Sequence, residues 1–202
     1  VGAGICRTEG GVSHHNGMLT RNDVELVGGL PLISPARAVI ETACQASFEA
    51  GVVTADSALH NGLVTASDLR EALELARSWP GVREAGAVVG FADGRADRVG
   101  ESRMRVLFKE QGLPEPELQV HLYDRTGQLV AIVDFLFKKE RTVGEFDGRI
   151  KYGSDAPDVV FREKRREDRI RELRYEVVRA CWPDLDHPRY TANRVRRRFP
   201  TS

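Results

Sequence analysis

Residues 129–148 read LVAIVDFLFKKERTVGEFDG, and the fold turns on this stretch. Two runs rich in β-branched and aromatic residues, Leu129–Phe137 and Thr142–Phe146, flank the polar tetrad Lys138-Lys139-Glu140-Arg141. That is the pattern of an antiparallel hairpin. With the tetrad as the loop, Phe137 faces Thr142, and counting outward sets Asp134 opposite Glu145, with Cβ atoms about 4.5–5.5 Å apart. Side chains alternate along a strand, so Asp147 joins Glu145 on one face. Carboxylates gathered among Ile132, Val133, Phe135 and Leu136 repel one another and resist desolvation. A divalent cation held by hard oxygen ligands offsets this, and Mg²⁺ uses one or two carboxylates together with substrate phosphate. A shared proton, or a neighbouring Lys or Arg, offsets it as well.

Outward from the hairpin the same kind of punctuation continues. Upstream, Glu117–Tyr123 is a further β-rich run, set off by Asp124-Arg125-Thr126-Gly127, and Glu101–Gln111 is a helix stopped by Gly112, Pro114 and Pro116. Downstream lie a loop with Gly148, Gly153 and Pro157, the charged helix Val160–Leu173 and a short strand, Tyr175–Cys181. The order helix, three strands, helix, strand predicts an α+β domain with a mixed sheet of about four strands flanked by helices.

The N-terminal half reads differently. Leu30–Cys44 predicts a lead-in and a helix, with Ser34 as cap and Pro35 at the first helical position. Phe48–His60 is a second helix ending at Asn61-Gly62, and Thr65-Ala66-Ser67-Asp68 opens a third with a capping box that uses Asp. Pro80-Gly81 breaks the run, and Val82–Ala92 follows as a fourth helix. Residues 34–92 are expected to hold no strand. Asp93-Gly94-Arg95-Ala96-Asp97 marks the boundary, so the chain divides into an irregular segment 1–29, a helical unit 30–97, the α+β domain 98–186 and a basic tail 187–202.

Composition limits the partners. Of the 202 residues, 41% are hydrophobic and 30% charged, enough apolar content for a real core beneath a polar surface. No apolar run approaches the roughly 18–20 residues a membrane-spanning helix needs, and Val1–Asn16 lacks the apolar stretch of a secretory signal. The chain opens on Val, so upstream material is expected. Cys6, Cys44 and Cys181 stand far apart, which suits free thiols in a reducing cytoplasm rather than a disulfide framework or a zinc site. The formal net charge of zero is unevenly spread: Arg162–Ser202 carries thirteen Lys or Arg against seven Asp or Glu. A basic end is compatible with a polyanionic partner, and equally with a solvated helix face.

Asp134-Phe135 on one strand and Glu145-Phe146-Asp147-Gly148 on the next resemble the uncharacterised domains related to very-short-patch-repair endonucleases, within the PD-(D/E)XK nuclease superfamily. The likeness takes in Glu101 on the preceding helix, Gln119 on the first strand, the Arg- and Asp-rich helix 162–174 and the strand before Trp182, about 80 residues. It implies a restriction-endonuclease-like core acting on DNA phosphodiesters with magnesium. Asp134 and Glu145 would be the metal ligands, with Asp147, Lys151 and Glu101 assisting. Gln119, Arg162, Arg165, Arg166 and Arg169 would contact nucleic acid. The superfamily's usual lysine, two residues after the second acid, is replaced here by Asp147, and Lys151 stands a few residues on. The alternative is a catalytically degenerate nuclease fold that binds DNA or a protein partner in a toxin–antitoxin or phage-defence system. The segment from Leu30 to about Asp93, with Leu32-Ile33-Ser34-Pro35-Ala36-Arg37, is similar to the helical part of actinobacterial proteins carrying an AbiEi-type antitoxin domain.

Plainer readings stand beside these. Glu101 and Arg105 have the i, i+4 spacing of a helix-surface ion pair. His14-His15 reads as a solvated segment, His121 as a structural strand residue, and Arg194–Arg198 as an exposed tail. The arginines of helix 162–174 are interleaved with Glu163, Glu167 and Asp168, so pairing within the helix competes with phosphate contact.

Overall fold

The computed structural model of the chain describes residues 7–14, 19–148 and 157–200. Its N-terminal part begins with two small antiparallel hairpins, β1 (Arg7–Glu9) with β2 (Val12–His14) and β3 (Val24–Val27) with β4 (Leu30–Ile33). Both hairpins correct the expectation of irregular chain before residue 30, and the second also corrects the reading of Leu30 as the lead-in to a helix. Gly28 and Gly29 take φ of 58° and 83°, the left-handed geometry of the tight two-residue turn that returns a strand on itself.

Helices α1 (Pro35–Gln45), α2 (Phe48–His60), α3 (Ala66–Leu75) and α4 (Val82–Phe91) follow, and 34–92 contains no strand, as expected. The capping box of α3 forms in both directions: Asp68 N–H donates to Thr65 Oγ1 at 3.2 Å and Thr65 N–H donates to Asp68 Oδ2 at 2.8 Å. Ser34, by contrast, makes no side-chain cap bond; Pro35 at the first turn starts α1. Val39, Ile40, Val52, Ala55, Leu69, Ala85 and Val88 form the core of this unit.

Helix α5 (Val99–Glu110) leads into strands β5 (Glu117–Tyr123), β6 (Leu129–Phe137) and β7 (Thr142–Asp147), then α6 (Pro157–Glu172), β8 (Glu176–Cys181), α7 (Trp182–Leu185) and α8 (Pro188–Arg196). The four strands form one mixed sheet in chain order, with β7 antiparallel to β6 and parallel to β8. The architecture is therefore the expected α+β. One apolar layer lies between the sheet and α5 with α8, where Phe108 meets the rings of Phe135 and Phe137 edge-on, both at 5.2 Å. The other joins Val133, Leu136, Val143 and Val177 to Ile170 of α6.

Residues 187–200 depart from the expected tail. Pro188 begins a helix whose Thr191, Ala192 and Val195, spaced i, i+1, i+4, are buried in the α5-side core. An apolar stripe this short was hidden among the arginines, and burying it folds the segment onto the domain. No helix among the described residues is long and apolar enough to cross a membrane.

Candidate carboxylate site

The β6–β7 turn has the expected register: Phe137 pairs with Thr142, Leu136 with Val143 and Phe135 with Gly144. One step further, where Asp134 and Glu145 would be partners, the ladder gives way. Asp134 Oδ2 accepts a 2.8 Å hydrogen bond from the backbone N–H of Phe146, so a side chain takes the place of a strand carbonyl. On the other side of β6 the pairing passes from Leu118–Phe135 to Val120–Val133 without a Gln119–Asp134 pair, and Gln119 adopts φ of 50°. That left-handed residue turns β5: Leu118 and Phe135 pack toward α5, while Val120 and Val133 pack on the α6 side. Asp134 sits at this turn and feels charges from both sides, Asp97 and Arg98 on one and Arg166 on the other.

On the α5 side Asp134 meets Glu101. Glu101 is 2% exposed, and its Oε2 accepts 2.9 Å and 3.3 Å hydrogen bonds from Gln119 Nε2 and the Asp97 N–H. Burial first, then a side-chain hydrogen bond with Asp97 and the charge of Asp134, push its pKa up to about 8. Burial also raises Asp134, against the Phe146 N–H that favours its ionised form. The predicted surface pair of Glu101 with Arg105 does not form. Arg105 instead donates to Asp56 of α2 at 2.6 Å, in an ion pair exposed by only 5% and 0% at its two side chains. Both side chains are buried, and each is taken by a partner from another element, Asp56 for Arg105 and Gln119 for Glu101.

On the α6 side Glu145 is held by arginines. Arg166 Nη1 lies 2.6 Å from its Oε1, and Arg179 Nε lies 3.3 Å from its Oε2. Arg179 is the strand neighbour of Glu145 on parallel β8. The Arg166 contact with Oε1 is ionic, a close approach of charges without N–H alignment. Burial still raises the Glu145 pKa, with both arginines opposing it. Arg166 also donates 2.7 Å to the Ile132 carbonyl, and Arg179 reaches Glu163 and Glu167, each at 3.4 Å. Of the residues expected to touch nucleic acid, Gln119 and Arg166 are thus engaged within the fold. Arg169 lies 3.9 Å from Asp124, and Arg165 stacks over Phe161 at 4.8 Å. Arg162 lies on α6, but its side chain is outside the described residues, as is all of Lys151. Asp147 ends β7, half-buried, and Trp182 Nε1 donates 3.1 Å to the next carbonyl, Gly148.

The chain is 30% identical over 155 residues to two uncharacterised proteins of Mycobacterium tuberculosis, from strains CDC 1551 and H37Rv. The match covers 77% of this chain and 56% of each relative, so the chain spans about half the length of the curated relatives it matches. No family model matches the chain, and no solved structure matches it.

The structure thus brings Glu101, Gln119 and Asp134 together and sets Glu145 within the electrostatic reach of Asp134. As placed, these donors do not fit a divalent cation. Both Glu145 oxygens face guanidinium groups, and among the described residues no three His, Cys, Asp or Glu side chains form a set that could hold a metal. Asp97 and Arg179 were not anticipated as members of the cluster. For Arg179 the signal was there: a parallel β8 next to β7 puts an arginine beside Glu145.

Proposed function

We propose that this protein is a nuclease-like DNA-binding module whose carboxylate site is closed by arginines, so that it engages DNA without cutting it. The observation that carries this is the double arginine contact on Glu145. A carboxylate with a guanidinium at each oxygen has its charge offset within the protein and does not need a metal to do so. Guanidinium groups that offset a carboxylate also suit phosphate, so Arg166 and Arg179 are the groups through which a DNA backbone would compete for this site. A cytoplasmic place in a toxin–antitoxin or phage-defence system, with a protein partner, is the setting that the resemblance implies.

A second reading, a Mg²⁺-dependent endodeoxyribonuclease, is favoured by one observation: buried Glu101 and half-buried Asp134 both have raised pKa values, and the charge of Asp134 adds to the rise at Glu101. That environment attracts a cation. It would require Glu145 to leave both arginines. One experiment separates the readings: anisotropy binding to labelled duplex and single-stranded DNA, and plasmid nicking in Mg²⁺, Mn²⁺ and EDTA. Salt-sensitive binding that survives EDTA, without nicking, is expected. Metal-dependent nicking abolished by Asp134→Asn establishes the second reading, and absence of any DNA binding refutes the first.

A further inference from the structure

Among the described residues, the arginines left open by the fold include two at α8. The inward face of α8 is fixed in the core by Thr191, Ala192 and Val195. Its outward face carries Arg189, Tyr190, Asn193, Arg196 and Arg197, all exposed, at the i, i+1, i+4, i+7, i+8 spacing of one helical surface. Tyr190, Asn193, Arg196 and Arg197 line an open groove of about 470 Å³. No acidic residue occurs from Pro188 to Ser202. Of the acids just before or beside it, Asp184 pairs with Arg194 at 3.0 Å and Glu176 with Arg198 at 3.5 Å, while Asp186 is exposed three residues ahead of Arg189. Arg196 donates to the Gln111 carbonyl and to Asn193. Arg189 and Arg197 make no ion pair or side-chain hydrogen bond among the described residues, in contrast to Arg166 and Arg179.

We propose that the outward face of α8 is a nucleic-acid docking surface, in which Arg189 and Arg197 contact backbone phosphates and Tyr190 offers its ring to an unpaired base. The inference extends the DNA-binding reading and rests on it, but uses a different surface. α8 packs on the α5 side of the sheet beside β8, the face opposite Glu145 and α6. Two features favour nucleic acid over an anionic lipid surface. Tyr190 is the one large ring on this face, with no Leu, Ile, Phe or Trp beside it, whereas an interfacial helix carries a broad apolar face to insert. An aromatic ring among guanidinium and amide donors is the combination that holds a strand by stacking and phosphate contact.

The test uses the whole chain with fluorescent 20-nucleotide duplex and single-stranded DNA, and vesicles of phosphatidylserine and phosphatidylcholine as the competing surface. Arg189→Gln with Arg197→Gln should weaken DNA binding roughly tenfold or more near 0.1 M salt. It should also lower the slope of log K against log salt by about 2, since each phosphate contact contributes about 0.9. Tyr190→Ala should weaken the single strand at least fivefold and the duplex much less. Thermal melts should not move, because the three side chains are exposed. If wild type binds DNA and the double variant binds it with equal affinity and slope, this surface is refuted and the carboxylate-side reading stands. Loss of binding in Arg166→Gln alone gives that result too. A wild type that binds vesicles but not DNA overturns both.

Discussion

Replacing Glu101 by Gln should make the protein more resistant to heat at alkaline pH while leaving it nearly unchanged at pH 5. Glu101 is 2% exposed, and its pKa stands at about 8 against 4.5 for the free side chain. A raised folded-state pKa means that the folded protein holds this proton more tightly than the unfolded chain. The associated stability is complete below pH 4.5 and is lost as pH rises through about 8. At about 1.4 kcal/mol per pH unit, the full shift corresponds to at most about 5 kcal/mol. Some of this returns when the carboxylate relaxes or the proton passes to Asp134, so we expect about 2 kcal/mol, or about 4–8 °C in Tm for a chain of this size. Gln keeps the oxygen that accepts from Gln119 and the Asp97 N–H, and its amide can donate to Asp97 as the protonated acid does. Melting both proteins from pH 5 to pH 9 by circular dichroism reads the difference directly. Curves that run parallel across that range, or a variant that melts below wild type at pH 9, would refute the buried-proton account.

Gly100→Ala should unfold the domain or cost several degrees, because a Cβ there would run into the Phe146 ring; Phe146→Leu in the same chain should recover part of the loss in a thermal melt. Asp56→Ala leaves Arg105 buried without its carboxylate and should cost about 3–5 kcal/mol in urea denaturation, whereas an unchanged midpoint would show that the pair contributes nothing. Asp134→Asn keeps an oxygen for the Phe146 N–H and removes a half-buried charge, so its stability should be equal or higher at pH 8. If that variant melts several degrees lower, Asp134 serves as a structural acid.

Strand order and hairpin register were legible because alternation and loop length are local properties, and Phe137–Thr142 follows from counting alone. The cluster was legible only in part. Gathering Asp134, Glu145 and Glu101 follows from register and resemblance, but what offsets their charge depends on side chains from α6 and β8, 21 to 34 residues from Glu145 in the chain for Arg166 and Arg179. The α8 stripe and the β3–β4 hairpin were missed for opposite reasons. In α8 three small buried positions are outnumbered by arginines; in the hairpin the Gly28-Gly29 turn signal was passed over, because Leu30, Leu32 and Ile33 read as the lead-in to a helix. Ion pairs were least legible of all. Arg105 reaches across to Asp56, 49 residues back, and nothing in the spacing of α5 chooses that partner over Glu101.

That choice ties the two halves of the protein together through a single helix. α5 gives Val106 to the helical unit's core and Met104, Leu107 and Phe108 to the sheet's core. The Arg105 guanidinium joins Asp56 on α2 to the Phe91 carbonyl at the end of α4, at 2.6 Å each. Four residues earlier on the same helix stands Glu101, so the segment bearing the buried acid is braced by contacts to α2 and α4, which hold none of the candidate site residues. A helix fixed in this way cannot move Glu101 toward or away from Asp134 without disturbing both cores, since packed interiors transmit displacement rather than absorb it. The helical unit therefore acts on the carboxylate site as a support for α5. In the Asp56→Ala variant the alkaline loss of stability assigned to Glu101 should shrink, because a loosened α5 lets water reach the carboxyl and lowers its pKa. If the pH dependence keeps its full size while overall stability falls, the two units are joined but the brace does not set the position of Glu101.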